Sequence, residues 1–303
     1  MKKIYPGIIA NDEGLNKLCK IHKLKNTRNS HKKIYNFRKF IYSNENIIKN
    51  IFGIILHYDD FKNEEGIKFI HHLKKKNIRY GIKFDDGRKK ISNENEKVTI
   101  GLNNISKKIL IYNKFKCSFA KWKVEFNVCK RKVSDKIIKK NIKNLFDFVL
   151  ICKKNKITPM IETDLVRSAK YSYKDATKIS EAIYSEINKN LKINKFRGKI
   201  YFKTNLIYPG KDYNLNHKKS AIITDKLLNK YFKKKLKNIF FLSGGEKDFK
   251  IIKTIKKMKQ NKNFNYSYAF SRGFFNDLRI YFHLKNKEKL TQKCNEKINL
   301  YIK

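Results

Sequence analysis

Eight short apolar runs punctuate this chain, and each gives way to a polar cluster and then to a stretch of helical period. The runs are 7–11 (GIIAN), 52–57 (FGIILH), 80–85 (YGIKFD), 118–123 (SFAKWK), 157–162 (ITPMIE), 199–205 (KIYFKTN), 238–243 (NIFFLS) and 266–271 (YSYAFS). Between them, Ile138, Ile142, Leu145 and Val149 recur at helical spacing, as do Ala176, Ile179, Ile183 and Ile187, and again Ile223, Leu227 and Tyr231. Strands that alternate with helices, without hairpin signals, imply parallel βαβ units. Eight such units in 303 residues fit a (β/α)8 barrel, a domain of about 250 residues at minimum. The expected architecture is therefore α/β, a single TIM-barrel domain over residues 1–303. A doubly wound open sheet is the structural alternative, but no GxGxxG follows the first run. No linker rich in Gly, Pro or Ser divides the chain.

Strands of a parallel barrel are buried on both faces and should read as nearly continuous apolar runs. Several of these do not. Side chains at i and i+2 share a face, and the polar intruders come in such pairs: Lys83 with Asp85, Lys121 with Lys123, Glu162 with Asp164, Lys203 with Asn205. Each pair is expected at the C-terminal end of its strand, the end at which barrel enzymes carry their chemistry. Trp122 would then face the helices while its two lysine neighbours face the barrel mouth. An unpaired buried charge costs several kcal/mol, so intrusions repeated over four strands mark a site rather than drift. Asp12, directly after the first run, joins them.

Charge needs separate treatment. Lys and Arg number 73 against 26 Asp and Glu, a formal net charge of +47, and only nine of the 73 are Arg. Such a balance suggests a nucleic-acid partner. Yet the lysines punctuate every helix instead of gathering on one face or tail. Abundant Lys, Ile, Asn, Phe and Tyr with scarce Gly and Pro is what an AT-rich, reduced bacterial genome would write into any protein. The excess thus implies no specific nucleic-acid partner, and carboxylates kept at strand ends stand out against it. With 41% hydrophobic residues the chain can build a full core. No run approaches the roughly 18 apolar residues of a membrane span, and the start shows no sustained apolar signal segment. Five cysteines without a CxxC pair fit reduced thiols, so a cytoplasmic, soluble protein is expected. The seven histidines make no zinc pattern, and His71 and His72 are adjacent on an expected helix, so no metal ligand is assigned.

Two further motifs follow the last strands. Ser243-Gly244-Gly245 comes after the seventh and Ser271-Arg272-Gly273 after the eighth. Backbone N–H groups at such positions, completed by an Arg, suit a phosphate. Two glycines in a row also suit a plain tight turn.

Taken together, IIANDEG (8–14), GIKFDDG (81–87), FAKWKV (119–124), ITPMIETDL (157–165), YFKTNLIYPG (201–210), FLSGG (241–245) and FSRG (270–273) resemble class I fructose-bisphosphate aldolase. The resemblance covers nearly the whole chain. It implies reversible cleavage of fructose 1,6-bisphosphate to dihydroxyacetone phosphate and glyceraldehyde 3-phosphate, a step of glycolysis and gluconeogenesis, through a lysine Schiff base with no metal or cofactor. By this match Lys203 is the imine-forming amine, Glu162 the acid/base of carbinolamine dehydration, and Asp12 with Lys121 the pair that handles the C4 hydroxyl proton. Asp164 would hold Lys203 or Lys121. Lys83 and Lys123 match positions near the second phosphate, with Asp85 beside them among the substrate-binding residues. Ser243, Gly244, Gly245, Ser271 and Arg272 would take the phosphate of the dihydroxyacetone half. Family members are commonly tetramers.

Departures from the family pattern bear on efficiency. Gly14 and Ser271 stand where Ser and Gly are usual, Lys123 where Arg is, Asp164 where Glu is, and Thr204 where Pro is. Lys123 keeps a charge without the bidentate fork of Arg. Tyr301 lies near Lys303, without the long C-terminal tail whose terminal Tyr assists proton transfer in many members. Another lysine-imine barrel, such as a transaldolase or a deoxyribose-phosphate aldolase, and a barrel without activity are the rival readings.

Overall fold

In the computed structural model, which describes residues 4–91, 96–167, 170–196, 198–233, 235–258 and 263–302, each apolar run becomes a barrel strand. The first three are β1 (Gly7–Asn11), β2 (Ile51–Leu56) and β3 (Tyr80–Lys83). A small antiparallel pair follows, β4 (Arg88–Lys90) and β5 (Lys97–Thr99). The barrel resumes with β6 (Ala120–Asn127), β7 (Pro159–Val166), β8 (Tyr201–Asn205), β9 (Asn238–Leu242) and β10 (Asn265–Phe270). Pairing runs β1-β2-β3-β6-β7-β8-β9-β10 and back to β1, parallel throughout.

The helices between the early strands are α1 (Leu15–Ile21), α2 (Arg28–Ile41), α3 (Glu45–Asn50), α4 (Glu64–Lys75) and α5 (Ile105–Phe115). The later ones are α6 (Asp135–Lys154), α7 (Tyr173–Ile193), α8 (His217–Phe232), α9 (Asp248–Lys257), α10 (Arg272–His283) and α11 (Lys287–Ile302). All three helices expected from periodicity are present, and each starts at a side-chain cap. Ser134, Ser172 and Asn216 accept from the backbone N–H three residues on, satisfying a donor that the first turn leaves unpaired.

Two apolar layers follow from strand alternation. Outward residues such as Trp122, Ile161, Phe202 and Phe241 pack under the helices, and the Trp122 ring stacks on Phe148 of α6 with centroids 5.5 Å apart. Inward residues Ile8, Ala10, Ile55, Phe119, Met160, Tyr201, Phe240 and Ala269 fill the barrel interior. No described helix is long and apolar enough to cross a membrane. The five cysteines are free.

Two expectations need correction. Strands β6 and β7 pair over eight consecutive positions, from Ala120↔Pro159 to Asn127↔Val166, and so project beyond the rim set by their neighbours. Lys121, Lys123, Glu162 and Asp164 therefore lie inside strands, not at strand ends. The second correction is the β4–β5 hairpin. It carries Arg88-Lys89-Lys90 on its exposed strand and so had no apolar alternation to reveal it. It docks on β6 through Arg88 and Lys97, 2.9 and 3.4 Å from Glu125, and through the Thr99 hydroxyl, which donates to the Lys123 carbonyl.

Candidate active site

The apolar interior ends where charge begins. Two residues on from Ala10, Ile55, Phe119, Met160 and Tyr201 stand Asp12, His57, Lys121, Glu162 and Lys203. Alternation thus puts all five on the same inward face, one layer nearer the mouth. Strand register pairs Lys83 with Lys121, Lys123 with Glu162, and Glu162 with Lys203, so Lys121 sits one step along its strand from the Glu162–Lys203 level and its long side chain spans the gap.

Glu162 is the centre of this layer. Its Oε2 accepts from Lys203 Nζ at 3.1 Å and lies 3.3 Å from Lys121 Nζ, while Oε1 is 3.8 Å from Lys123. Lys121 Nζ donates to Asp12 Oδ2 at 2.7 Å and lies 3.7 Å from Asp85. Because β2 and β3 separate β1 from β6, the Asp12–Lys121 pair reaches across the mouth and joins strands that share no backbone bonds. The Lys121 side chain is 1% exposed and that of Lys203 7%.

Burial works against the charges of Lys121, Lys123, Asp12 and Glu162, and their neighbours outweigh it. At Lys121, Asp12, Glu162 and Asp85 overcome desolvation and hold the ammonium well above its usual range. Lys123, beside Asp164 and Glu162, is raised to about 12 in the same way. For Asp12, burial is opposed by Lys121, then Lys203 and Lys83, and the carboxyl falls far below its ordinary value. Glu162 is lowered to about 2, the pull of Lys121, Lys203 and Lys123 prevailing over desolvation. At neutral pH the layer holds ionised carboxylates around a fixed cation, Lys121.

A stability prediction follows from these directions. Glu162 titrates near its ordinary 4.5 in the unfolded chain and at about 2 in the folded one. Its contribution is therefore present above 4.5 and lost as pH falls through about 2, and Asp12 is lost in the same direction. Lys121, raised, contributes below its unfolded value of 10.5 and is constant over this window. The unfolding free energy should drop between pH 4.5 and 2, and Glu162→Gln should flatten that drop in denaturant titrations. An equal slope in the variant would refute the assignment.

The remaining expected residues fall into place unevenly. Asp164 Oδ2 accepts from Lys123 at 2.6 Å and Oδ1 accepts from the Asn205 amide at 3.3 Å, so it braces Lys123 rather than Lys203 or Lys121. Asp85 is enclosed by Lys83 at 3.5 Å, Lys121, and the Lys123 backbone N–H at 3.2 Å, so it positions lysines instead of facing a ligand. Ser243 to Glu246 form a tight turn, with the Glu246 N–H donating to the Ser243 carbonyl at 2.9 Å and both Gly244 and Gly245 at positive φ. A Cβ at Gly244 would also sit 2.9 Å from Asn205 Nδ2, so glycine is required there twice over. The Ala269↔Leu242 register sets this turn beside Ser271 and Arg272, which open α10. Arg272 makes no ion pair among the described residues, and with Ser271, Asn11, Glu13 and Arg279 it lines a groove between β1 and α10. Tyr301 is buried and donates to Asp248 Oδ2 at 2.5 Å, which locks α11 onto α9 and removes it from the mouth.

Sequence reasoning missed His57, although the run 52–57 ends on it and Ile55 precedes it by two. It also missed the buried Arg38–Asp60 pair, 2.9 Å apart. Arg38 donates to the Asn11 carbonyl and Asp60 accepts from the His57 backbone N–H, so the pair ties the ends of β1 and β2 together. Nothing in a helix sequence announces that bond.

Known proteins are similar to this chain over most of its length. The family model for fructose-bisphosphate aldolase class-I matches residues 2–297. Among curated relatives, the fructose-bisphosphate aldolase of Drosophila melanogaster is 27% identical over 251 residues, 80% of this chain and 69% of that one. That of Encephalitozoon cuniculi is 27% identical over 276 residues, 88% and 81% of the two chains. In three dimensions, a solved fructose-bisphosphate aldolase from Plasmodium falciparum superposes with a TM-score of 0.88 over 99% of this chain and 90% of its own, at 21% identity, and so shares the fold. With a closed eight-stranded barrel, charged side chains from β6, β7 and β8 converging at its mouth, and a family match along nearly its full length, this chain belongs to the class I fructose-bisphosphate aldolases.

Proposed function

We propose that the chain cleaves fructose 1,6-bisphosphate reversibly to dihydroxyacetone phosphate and glyceraldehyde 3-phosphate through an imine on Lys203. The observation that carries this reading is the sharing of one carboxylate oxygen, Glu162 Oε2, by two buried amines of different surroundings. Lys121 also holds Asp12 and lies near Asp85, which fixes it as a cation. Lys203 touches one carboxylate and rests on the apolar interior beside Tyr201 and Phe240.

A lysine attacks only as the free amine, so a proton must leave Lys203 first, and the ionised Glu162 is the acceptor in reach. The free Nζ adds to the C2 ketone. Glu162 then returns the proton to the carbinolamine hydroxyl, water leaves, and the nitrogen is left in a protonated imine. Asp12, held as a carboxylate, takes the proton of the C4 hydroxyl. The C3–C4 bonding pair flows into the imine, glyceraldehyde 3-phosphate departs, and the enamine that remains is protonated at C3 and hydrolysed. The imine supplies the electron sink, so none of these steps calls for a metal.

Two phosphates need two sites. The Ser243–Gly245 turn with Ser271 and Arg272 suits the dihydroxyacetone end, and Lys83 with Lys123, on the opposite arc, suits the other. We infer a cytoplasmic enzyme, supported by its free thiols, that assembles as a homo-oligomer of the tetrameric kind its family forms.

Borohydride added with dihydroxyacetone phosphate should trap one adduct, at Lys203, by peptide mass spectrometry. EDTA should leave the cleavage rate unchanged. An adduct on another lysine, no adduct at all, or loss of turnover to the chelator would each overturn the reading.

A further inference from the structure

Of the five side chains that make the first charged layer of the mouth, His57 alone has no part in the reaction as derived above. Its backbone N–H donates to Asp60 Oδ2 at 2.9 Å, and Asp60 is itself held by Arg38 and by the Tyr35 hydroxyl at 2.6 Å. Its Nδ1 accepts from the Asp59 backbone N–H at 3.2 Å, capping the short turn Tyr58–Phe61. The ring is thus fixed on two sides by its own loop. The charged groups around it are Asp59, Asp60, Lys83 and Asp12, and burial, the largest influence, keeps it neutral against the first two.

A neutral imidazole that accepts at Nδ1 carries its proton at Nε2. That edge faces Gly14. A Cβ there would lie 3.2 Å from Cε1 and 3.5 Å from Nε2 of His57, so the missing side chain leaves the ring uncovered. The imidazole is 23% exposed, and Asp59 Oδ2, on a half-exposed carboxylate, lies 3.1 Å from Nδ1 and leaves Nε2 to the mouth. Among the described residues Nε2 has no hydrogen-bond partner. Strand order sets it between Asp12 on β1 and Lys83 on β3, the arc assigned above to the aldehyde half of the substrate.

We propose that His57 is a substrate-contacting residue whose Nε2–H donates to an oxygen of the glyceraldehyde 3-phosphate half and selects for sugars that carry it. This deepens the aldolase reading and rests on it. An oriented neutral donor complements a hydroxyl or phosphate oxygen, and a substrate lacking that oxygen would leave the donor unpaired, which is how a polar site discriminates.

His57→Phe, which keeps a ring and loses the donor, should lower kcat/KM for fructose 1,6-bisphosphate by about tenfold to a hundredfold. Borohydride trapping with dihydroxyacetone phosphate, which lacks the aldehyde half, should stay within about twofold of the parent rate. His57→Gln, whose amide still donates, should recover most of the loss. If His57→Phe fails to fold, Gly14→Val provides the same test by covering the ring edge and leaving the imidazole in place, and it should lower kcat/KM in the same direction. Unchanged cleavage in His57→Phe or in Gly14→Val, or an equal loss in both reactions, overturns the proposal. Absence of a Lys203 adduct in the unmodified protein would instead sink the aldolase reading itself.

Discussion

Replacing Lys203 with Met will abolish cleavage, by at least about four orders of magnitude, on the order of what removal of a covalent nucleophile costs, and leave the barrel folded. The fold survives because Lys203 is dispensable to Glu162, its only ion-pair contact among the described residues. Glu162 keeps Lys121 at 3.3 Å and Lys123 at 3.8 Å after the amine is gone. A methionine of similar length lies on the same floor of Tyr201 and Phe240 and adapts to it readily. Lys203→Arg sharpens the test. It restores the charge against Glu162 and cannot form an imine, so it should be as inactive as Lys203→Met. The two variants should melt within a few degrees of the parent and give no borohydride adduct. Turnover in Lys203→Arg within a hundredfold of the parent would mean that the charge, and not the nucleophile, is what the site requires.

How the site was legible follows from how barrels are built. Strand interiors in a parallel barrel tolerate polar side chains poorly, so Lys121, Glu162 and Lys203 could be picked out from alternation alone, even in a chain dense with lysine. The same logic placed Trp122 outside and its neighbours inside, as observed. What alternation could not supply was reach. It gives a face and a level, and says nothing of which carboxylate a flexible lysine will choose. Asp164 was expected beside Lys203 or Lys121 and is found on Lys123, because it stands two residues beyond Glu162 on β7, paired with Glu125 and bonded to Asn205, above the level that Lys203 and Lys121 occupy. His57 was passed over for a different reason. A lone histidine after an apolar run is ordinary, and only the layer built by its neighbours gives it meaning. The Arg38–Asp60 pair lies on a helix and in a turn, where charge is unremarkable and its burial depends on tertiary packing.

Lys121→Met is expected to separate the two halves of the reaction and to flatten part of the acid response. The Lys121 amine lies 2.7 Å from Asp12, 3.3 Å from Glu162 and 3.7 Å from Asp85. Without it Glu162 still has Lys203 and Lys123, and Asp85 still has Lys83, but Asp12 has no cation in contact among the described residues. Losing the contacting cation of this largely buried carboxylate should cost up to about 3–5 kcal/mol at neutral pH. Asp12 then keeps only Lys203 and Lys83 against burial, already its largest influence, so its carboxyl rises from the far-lowered position it holds in the parent. A smaller depression means that less stability is lost when Asp12 takes up its proton, so the variant's stability should fall less steeply on acidification than the parent's. Without Lys121 to hold it, Asp12 is no longer fixed where it can take the C4 hydroxyl proton, and cleavage should fall by about 10²- to 10⁴-fold, the usual share of a general base. Imine formation with dihydroxyacetone phosphate uses Lys203 and Glu162 and should persist, so borohydride should still trap the variant. A Lys121→Met protein that forms no adduct, or one as stable as the parent at pH 7, would show that Lys121 does not hold the carboxylates of this mouth.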